Sequence, residues 1–233
     1  METPLYRRWL PSGTSITARS YLQSLQLRRK EMDRPYVLAN FVTSLDGHST
    51  VEGMSRRLSG AADRAMFYAL RERVDGVLIG PRTLVAEHYK RMLPAQERRD
   101  WRVQTGRPAE PLAVTISRSG QVPRDLPLFS DAPDRVLVLE GAELTLSDAL
   151  ITLRQQHGIE SLLCEGGPTL FGALLKAGLV DELFLTLAPS LVGGASGPAV
   201  VSGPPPEVPA EVKLAGVLEH EGTLFLRYRL PAN

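Results

Sequence analysis

Glu165, Gly166, Gly167 and Pro168 follow one another between an apolar run and a helix-forming one, an order suited to holding an anion. In SLLCEGGPTLFGALLK, residues 161–176, a short strand ends on the acid, turns on two glycines and opens into a helix. Pro168 suits the first helical position, where a missing N–H costs nothing and the fixed φ favours the turn. Without Cβ atoms, Gly166 and Gly167 let a ligand lie against bare backbone N–H groups. Those groups and the helix dipole favour a pyrophosphate-like anion. A tight strand-to-helix connection with no ligand would use the same residues. Glu165 favours the ligand, because it stands at the carboxyl end of an apolar strand, where open α/β sheets bind theirs.

Other chemistries find little support. The chain has 233 residues, 43% of them hydrophobic, and a net charge of +1, which gives no overall pull towards nucleic acid or a membrane surface. His48, His88, His157 and His220 have no metal-ligand spacing, so no metal is expected. The single cysteine, Cys164, lies in an apolar strand without a basic neighbour in sequence and reads as structural. One cysteine allows no internal disulfide and fits a reducing cytoplasm. No apolar run approaches a membrane span, and the N-terminus lacks a signal-peptide core.

Residues 1–34 read as an arm, with a short helix at Tyr21–Lys30 that packs on the body or on a partner subunit. The remainder, 35–233, reads as one α/β domain. Tyr36–Leu45 is a strand turned by SLDG, and Ala61–Arg73 is a helix with Met66, Phe67 and Leu70 on one face. Strands follow at Val77–Gly80, Leu112–Ser117, Arg135–Glu140, Ile159–Glu165 and Asp181–Leu187. A helix at Leu146–Gln156 stops at Gly158. Glu211–Glu219 and Thr223–Leu230 form a terminal hairpin around Glu221 and Gly222. Between these elements, Tyr89–Glu110 reads as a long basic loop and Pro189–Pro209 as an irregular Gly/Pro-rich stretch.

The G-x-G-x-x-G fingerprint and the Walker A loop are both absent, so a dinucleotide needs a different construction. Taken in order, ANFVTSLDG, LSGAADRAMFYALRERVDGVLIGPRT, CEGGPTL and VDELFLTLAPSLVGG resemble the reductase domain of riboflavin biosynthesis, whose fold is that of dihydrofolate reductase. The resemblance runs from about Pro35 to Leu230. It implies a three-layer α/β/α fold with a mixed, mostly parallel central sheet and a C-terminal antiparallel hairpin. It also implies NADPH as hydride donor, a small heterocyclic substrate and a homodimer. The deaminase domain that often precedes this reductase is missing, so the chain resembles a stand-alone member.

By position, Thr43, Thr83, Gly166, Gly167, Thr169 and Leu170 would touch the cofactor, with Gly80 and Pro168 shaping the same turns. Ser55, Arg71 and Glu165 would face the substrate. On residue chemistry alone Thr83 is equally a plain helix cap. Ser117 and Arg118 follow an apolar strand, much as the Ser/Arg pair that holds the adenosine 2′-phosphate in dihydrofolate reductases, although a solvated turn also accounts for them. Asp63 stands where dihydrofolate reductases place the carboxylate that binds the pterin edge and assists its protonation; it is otherwise a helix-start acid favouring the dipole. Asp46 is a turn residue or a pocket acid.

The chain also departs from the family pattern. After Thr83 it reads LVAEHYKRML, with Glu87 in place of the usual Asp, no proline behind it, and Leu93-Pro94 where a phosphate-binding Arg is expected. Arg57 replaces a common tryptophan. Either the basic loop contacts the substrate phosphate or the substrate has none there. The resemblance therefore leaves three outcomes: a ribosylaminopyrimidinone 5′-phosphate reductase, a dihydrofolate or pterin reductase, and a non-catalytic NADPH-binding protein.

Overall fold

Runs rich in Val and Ile become strands because β-branched side chains are stiff at χ1 and pack well on a pleated surface, with Leu filling the buried faces beside them. The computed structural model describes residues 3–29, 31–194, 198–204 and 209–231. In chain order it has β1 (Tyr6–Leu10), β2 (Ser12–Ile16), α1 (Ala18–Gln23), β3 (Tyr36–Thr43), α2 (Ala61–Arg73) and β4 (Gly76–Leu78). Next come α3 (Pro81–Ala86), α4 (Gln96–Gln104), β5 (Leu112–Ser117), α5 (Pro127–Asp131), β6 (Val136–Glu140) and α6 (Leu146–His157). The last elements are β7 (Ser161–Cys164), α7 (Pro168–Lys176), β8 (Glu182–Leu187), β9 (Lys213–His220) and β10 (Thr223–Arg229).

These elements sort into two units, Met1–Gln26 with Leu38–Ala69 and Pro168–Asn233, and Leu27–Val37 with Leu70–Gly167. In the second unit β7, β4, β5 and β6 lie side by side, all parallel, with Val77 opposite both Leu163 and Ala113. Its core is apolar on both faces, as the continuous hydrophobic runs require: Val77, Leu78, Ile79, Leu162, Leu163 and Cys164 are all fully buried. Helix α6 adds Ala149, Leu150 and Leu153, starts on Thr145, which caps Asp148 N, and ends on Gly158 at φ +64°.

In the first unit β2, β1, β9, β10 and β8 pair antiparallel in that order, and β8 pairs parallel with β3. The terminal hairpin forms as expected, with Thr223 opposite His220. Tyr6 is buried; its hydroxyl donates to the Ala62 carbonyl at 2.6 Å and its ring meets Phe225 edge-on at 4.9 Å. Glu182 and Arg227, both buried, form a two-pronged pair at 2.5 and 2.8 Å.

Two segments depart from expectation. The N-terminal segment contributes β1 and β2, and its helix is Ala18–Gln23 rather than Tyr21–Lys30, because the Thr17 hydroxyl caps Ser20 N and fixes an earlier start. Lys30 lies outside the described residues. The basic stretch Tyr89–Glu110 is not a structureless loop, for it contains α4. That helix turns a fully buried arginine inward, so an apolar stripe was never there to be read. Pro189–Pro209 holds no strand or helix among its described residues, and 195–197 and 205–208, within the GGASG and GPPPE runs, lie outside them.

Candidate functional site

In the second unit the carboxyl ends of β4, β5 and β7 carry Gly80, Ser117 and Glu165. Backbone bonds fasten two of these ends together: Glu165 N donates to the Leu78 carbonyl at 3.0 Å, and Gly80 N donates to the Gly166 carbonyl at 2.7 Å. The Gly166–Gly167 peptide is cis, and Gly166 has φ +96°, a conformation that L side chains rarely adopt. A Cβ on Gly167 would lie 2.8 Å from the Thr83 hydroxyl oxygen, and one on Gly80 would lie 3.4 Å from both the Gly166 oxygen and the Gly167 nitrogen. The residues expected to hold a pyrophosphate thus form one glycine-lined cradle, and helix α3 starts at its edge.

Beneath the cradle lies a polar triad of a buried Arg71–Glu165 pair and the half-buried Tyr89. Arg71, in the last turn of α2, donates through Nε and Nη2 to both oxygens of Glu165 at 2.6 Å, and through Nη1 to the Met92 carbonyl at 2.8 Å. The two side chains are 6% and 2% exposed. The Tyr89 hydroxyl donates to Glu165 Oε2 at 2.7 Å, and the Arg71 guanidinium stands 5.5 Å over the Tyr89 ring. Burial, and then the Glu165 charge, push the Tyr89 hydroxyl well above its usual range, so it remains a proton donor. Arg71 and Glu165, expected to face a substrate, hold each other and the loop; the pair fixes the acid that begins the glycine turn. Arg91, in the basic stretch read as a phosphate contact, is bonded to Glu110 at 2.6 Å and to the Asp131 carbonyl.

Ser117 is buried with its hydroxyl 3.4 Å from that of Ser119, whereas Arg118 is exposed and has no side-chain partner among the described residues. Glu87 closes α3, its N–H donating to the Thr83 carbonyl at 3.0 Å. Cys164 is fully buried and its thiol is pushed up to about 12 by that burial, which suits the structural role read from sequence.

The first unit holds the other candidates. Thr43, buried at the end of β3, is 3.2 Å through its hydroxyl from the Ser44 and His48 carbonyls. Asp46 is exposed and accepts from the Ser44 hydroxyl at 2.5 Å, Gly193 N at 2.7 Å and Val192 N at 3.1 Å. These bonds, the Ser44 hydroxyl first, hold its carboxyl below the usual range. Of its two readings, the geometry favours the turn residue. Asp63 is the opposite case: it is buried in the first turn of α2 beside Thr186, accepts from the Ser59 hydroxyl, and is raised by burial. Ser55 opens a short 3-10 turn, Pro168 opens α7, Thr169 is exposed, and Leu170 is half-buried. Sequence reasoning missed Tyr89 and Thr186, which act through partners far along the chain and leave no local spacing to find. Among the described residues no group of three His, Cys, Asp or Glu is placed to hold a metal ion, and no helix is long and apolar enough to cross a membrane.

Comparison with known proteins bears on the family and the fold. A profile of the RibD C-terminal domain matches residues 35–224. The 2,5-diamino-6-ribosylamino-4(3H)-pyrimidinone 5′-phosphate reductase of Archaeoglobus fulgidus is 28% identical over 191 residues, covering 73% of this chain and 87% of that protein. A solved pyrimidine reductase-like protein from Corynebacterium diphtheriae superposes with a TM-score of 0.74 at 20% identity, over 94% of this chain and 100% of the other. Schistosoma mansoni dihydrofolate reductase superposes at 0.51 and 16% identity, over 85% and 100%, so the α/β, dihydrofolate-reductase-like fold with its mixed sheet is the one expected.

Proposed function

We propose, on the premise that the chain belongs to the RibD C-terminal domain family, that it is an NADPH-dependent reductase of a ribosylaminopyrimidinone 5′-phosphate in riboflavin biosynthesis. The observation that carries the reading is the cradle of Gly80, Thr83, Gly166 and Gly167, in which a Cβ at Gly167 would stand 2.8 Å from the Thr83 hydroxyl. Such a surface suits a pyrophosphate that must approach backbone N–H groups. NADPH, when bound, supplies the hydride. Gly166, Gly167 and Thr83 would hold its pyrophosphate, Ser117 and Arg118 its 2′-phosphate, and Thr43, Gly80, Glu87, Pro168, Thr169 and Leu170 the remainder. Arg71 and Tyr89 keep the Glu165 carboxylate fixed at the start of the turn. Ser55 is assigned to the substrate side, and Asp46 holds the turn that follows Thr43. The same proposal takes the enzyme to be a cytoplasmic homodimer acting on a small heterocycle, with neither nucleic acid nor membrane as partner.

A second reading, reduction of dihydrofolate or a related pterin, is favoured by Asp63. Its buried carboxyl, raised by that burial, can retain a proton and give it to a ring nitrogen. Following NADPH absorbance with each substrate separates the two. Oxidation with the pyrimidinone phosphate alone is the expected result. Oxidation with dihydrofolate alone would replace the first reading with the second, and none with either would leave a binding protein.

A further inference from the structure

We propose that Arg28, Arg73, Arg102 and Arg107 form a binding site for a phosphate group at the amino ends of β4, β5 and β7, opposite the strand ends that carry Gly80, Ser117 and Glu165. Asp75 marks the place: its N–H donates to the Ser161 carbonyl at 3.0 Å and its carbonyl accepts from Leu112 N at 2.9 Å, which ties together the starts of all three strands. Around it the cations outnumber the available anions. The Asp75 carboxylate is fully engaged, Oδ1 by Arg28 at 3.0 Å and Oδ2 by Glu160 N, Ser161 N and the Ser161 hydroxyl at 2.9–3.1 Å. Glu160 is shared between Arg28 at 2.7 Å and Arg154 at 3.1 Å, Glu72 is bonded to Arg98, and Glu110 to Arg91 at 2.6 Å.

Two of the arginines also carry donors that find no acceptor among the described residues. Arg102, fully buried, gives Nη1 to the carbonyls of Arg71, Glu72 and Val74 at 2.7–3.0 Å and Nε to Pro108 at 2.8 Å, but its Nη2 has no partner. Arg107 Nε is likewise buried and without a partner. Burial lowers Arg102 to about 10, with the Arg107 charge the next cause. Arg73 and Arg107 are lowered by burial and then by neighbouring arginines, Arg107 and Arg28 acting on Arg73 and Arg28 on Arg107. Like charges gathered with donors to spare are what an oxyanion relieves, and planar guanidinium forks match the oxygens of a phosphate.

The test is calorimetric titration of the full chain at fixed ionic strength with inorganic phosphate and, separately, with glycerol 2-phosphate. Wild type, Arg107→Gln and Arg124→Ala are compared, Arg124 being an exposed arginine outside the cluster. Binding of either anion should weaken at least tenfold in Arg107→Gln, which is only half-buried and expected to fold, and stay unchanged in Arg124→Ala. Binding of inorganic phosphate alone assigns the site to the free ion, and binding of both assigns it to a phosphomonoester as well. No binding by wild type, equal binding by Arg107→Gln, or loss only in Arg124→Ala would overturn the proposal. In phosphate-free buffer Arg107→Gln should melt no lower than wild type, since it removes a repelling charge; a lower melting temperature would count against the cluster as described.

Discussion

Replacing Gly167 with alanine isolates the physical claim behind the cradle. The added Cβ would sit 2.8 Å from Thr83 Oγ1, the only atom within 4 Å beyond its chain neighbours among the described residues. Ordinary contacts begin at 3.4 Å, so one of the two groups must retreat by about 0.6 Å. Thr83 is β-branched and helical, which restricts its χ1, so the strain falls partly on the backbone. Overpacking of this kind costs about 1–3 kcal/mol. Gly167 is not in the left-handed region, so backbone strain adds nothing to that figure. The measurement is a double-mutant cycle by urea denaturation. Gly167→Ala should cost the full amount beside Thr83 but less than about 0.5 kcal/mol beside Thr83→Ala, a coupling of roughly 0.5–3 kcal/mol. NADPH fluorescence titration on the same proteins should show weaker binding in Gly167→Ala. Equal destabilisation in both backgrounds would refute the placement of Thr83 against the turn, and with it the shape of the cradle.

Arg71→Met should cost about 3–5 kcal/mol in urea denaturation, because it strands the buried Glu165 charge; a loss under about 1 kcal/mol would contradict the burial of this pair. Arg118→Ala, at an exposed position, should leave stability within about 0.5 kcal/mol and lower the preference for NADPH over NADH by about 1.5–3 kcal/mol, read from paired titrations. Since burial raises the Asp63 carboxyl, the folded chain keeps that proton to higher pH than the unfolded chain. Stability therefore declines as pH rises through the interval between the two values. Asp63→Asn should flatten that decline in melting temperatures taken from about pH 4 to pH 8, and an unaltered slope would exclude a raised Asp63. Cys164, with its thiol pushed up to about 12, should resist alkylation in the folded protein at about pH 8 and react only on unfolding; rapid labelling would show that β7 is accessible.

Periodicity and punctuation settled the elements whose causes are local. Helix α2 begins and ends where its pattern does, at Ala61 and Arg73, and α6 stops at a glycine that adopts the left-handed cap. The glycine turn, the apolar strand before it and the helix opened by Pro168 after it were legible for the same reason: a missing Cβ or a fixed φ acts on its own backbone. Helix α4 was not legible. Its inward residue is Arg102, held by carbonyls of Arg71, Glu72 and Val74 about thirty positions earlier, and a buried cation leaves no hydrophobic stripe. Arg71 and Glu165 stood out as separate candidates, but only folding could show that they satisfy each other across 94 positions rather than a ligand. The two acids near the start of the chain make the division plain. Sequence left each between a structural role and a pocket one, Asp46 as a turn residue or a pocket acid and Asp63 as a helix-start acid or the carboxylate that binds a pterin edge. Folding gave Asp46 the N–H groups of Val192 and Gly193, 146 and 147 positions away, which stabilise its charge in solvent. It gave Asp63 a buried place beside Thr186, where water is excluded and the proton is favoured, because a carboxyl's character depends on its surroundings more than on its neighbours in the chain.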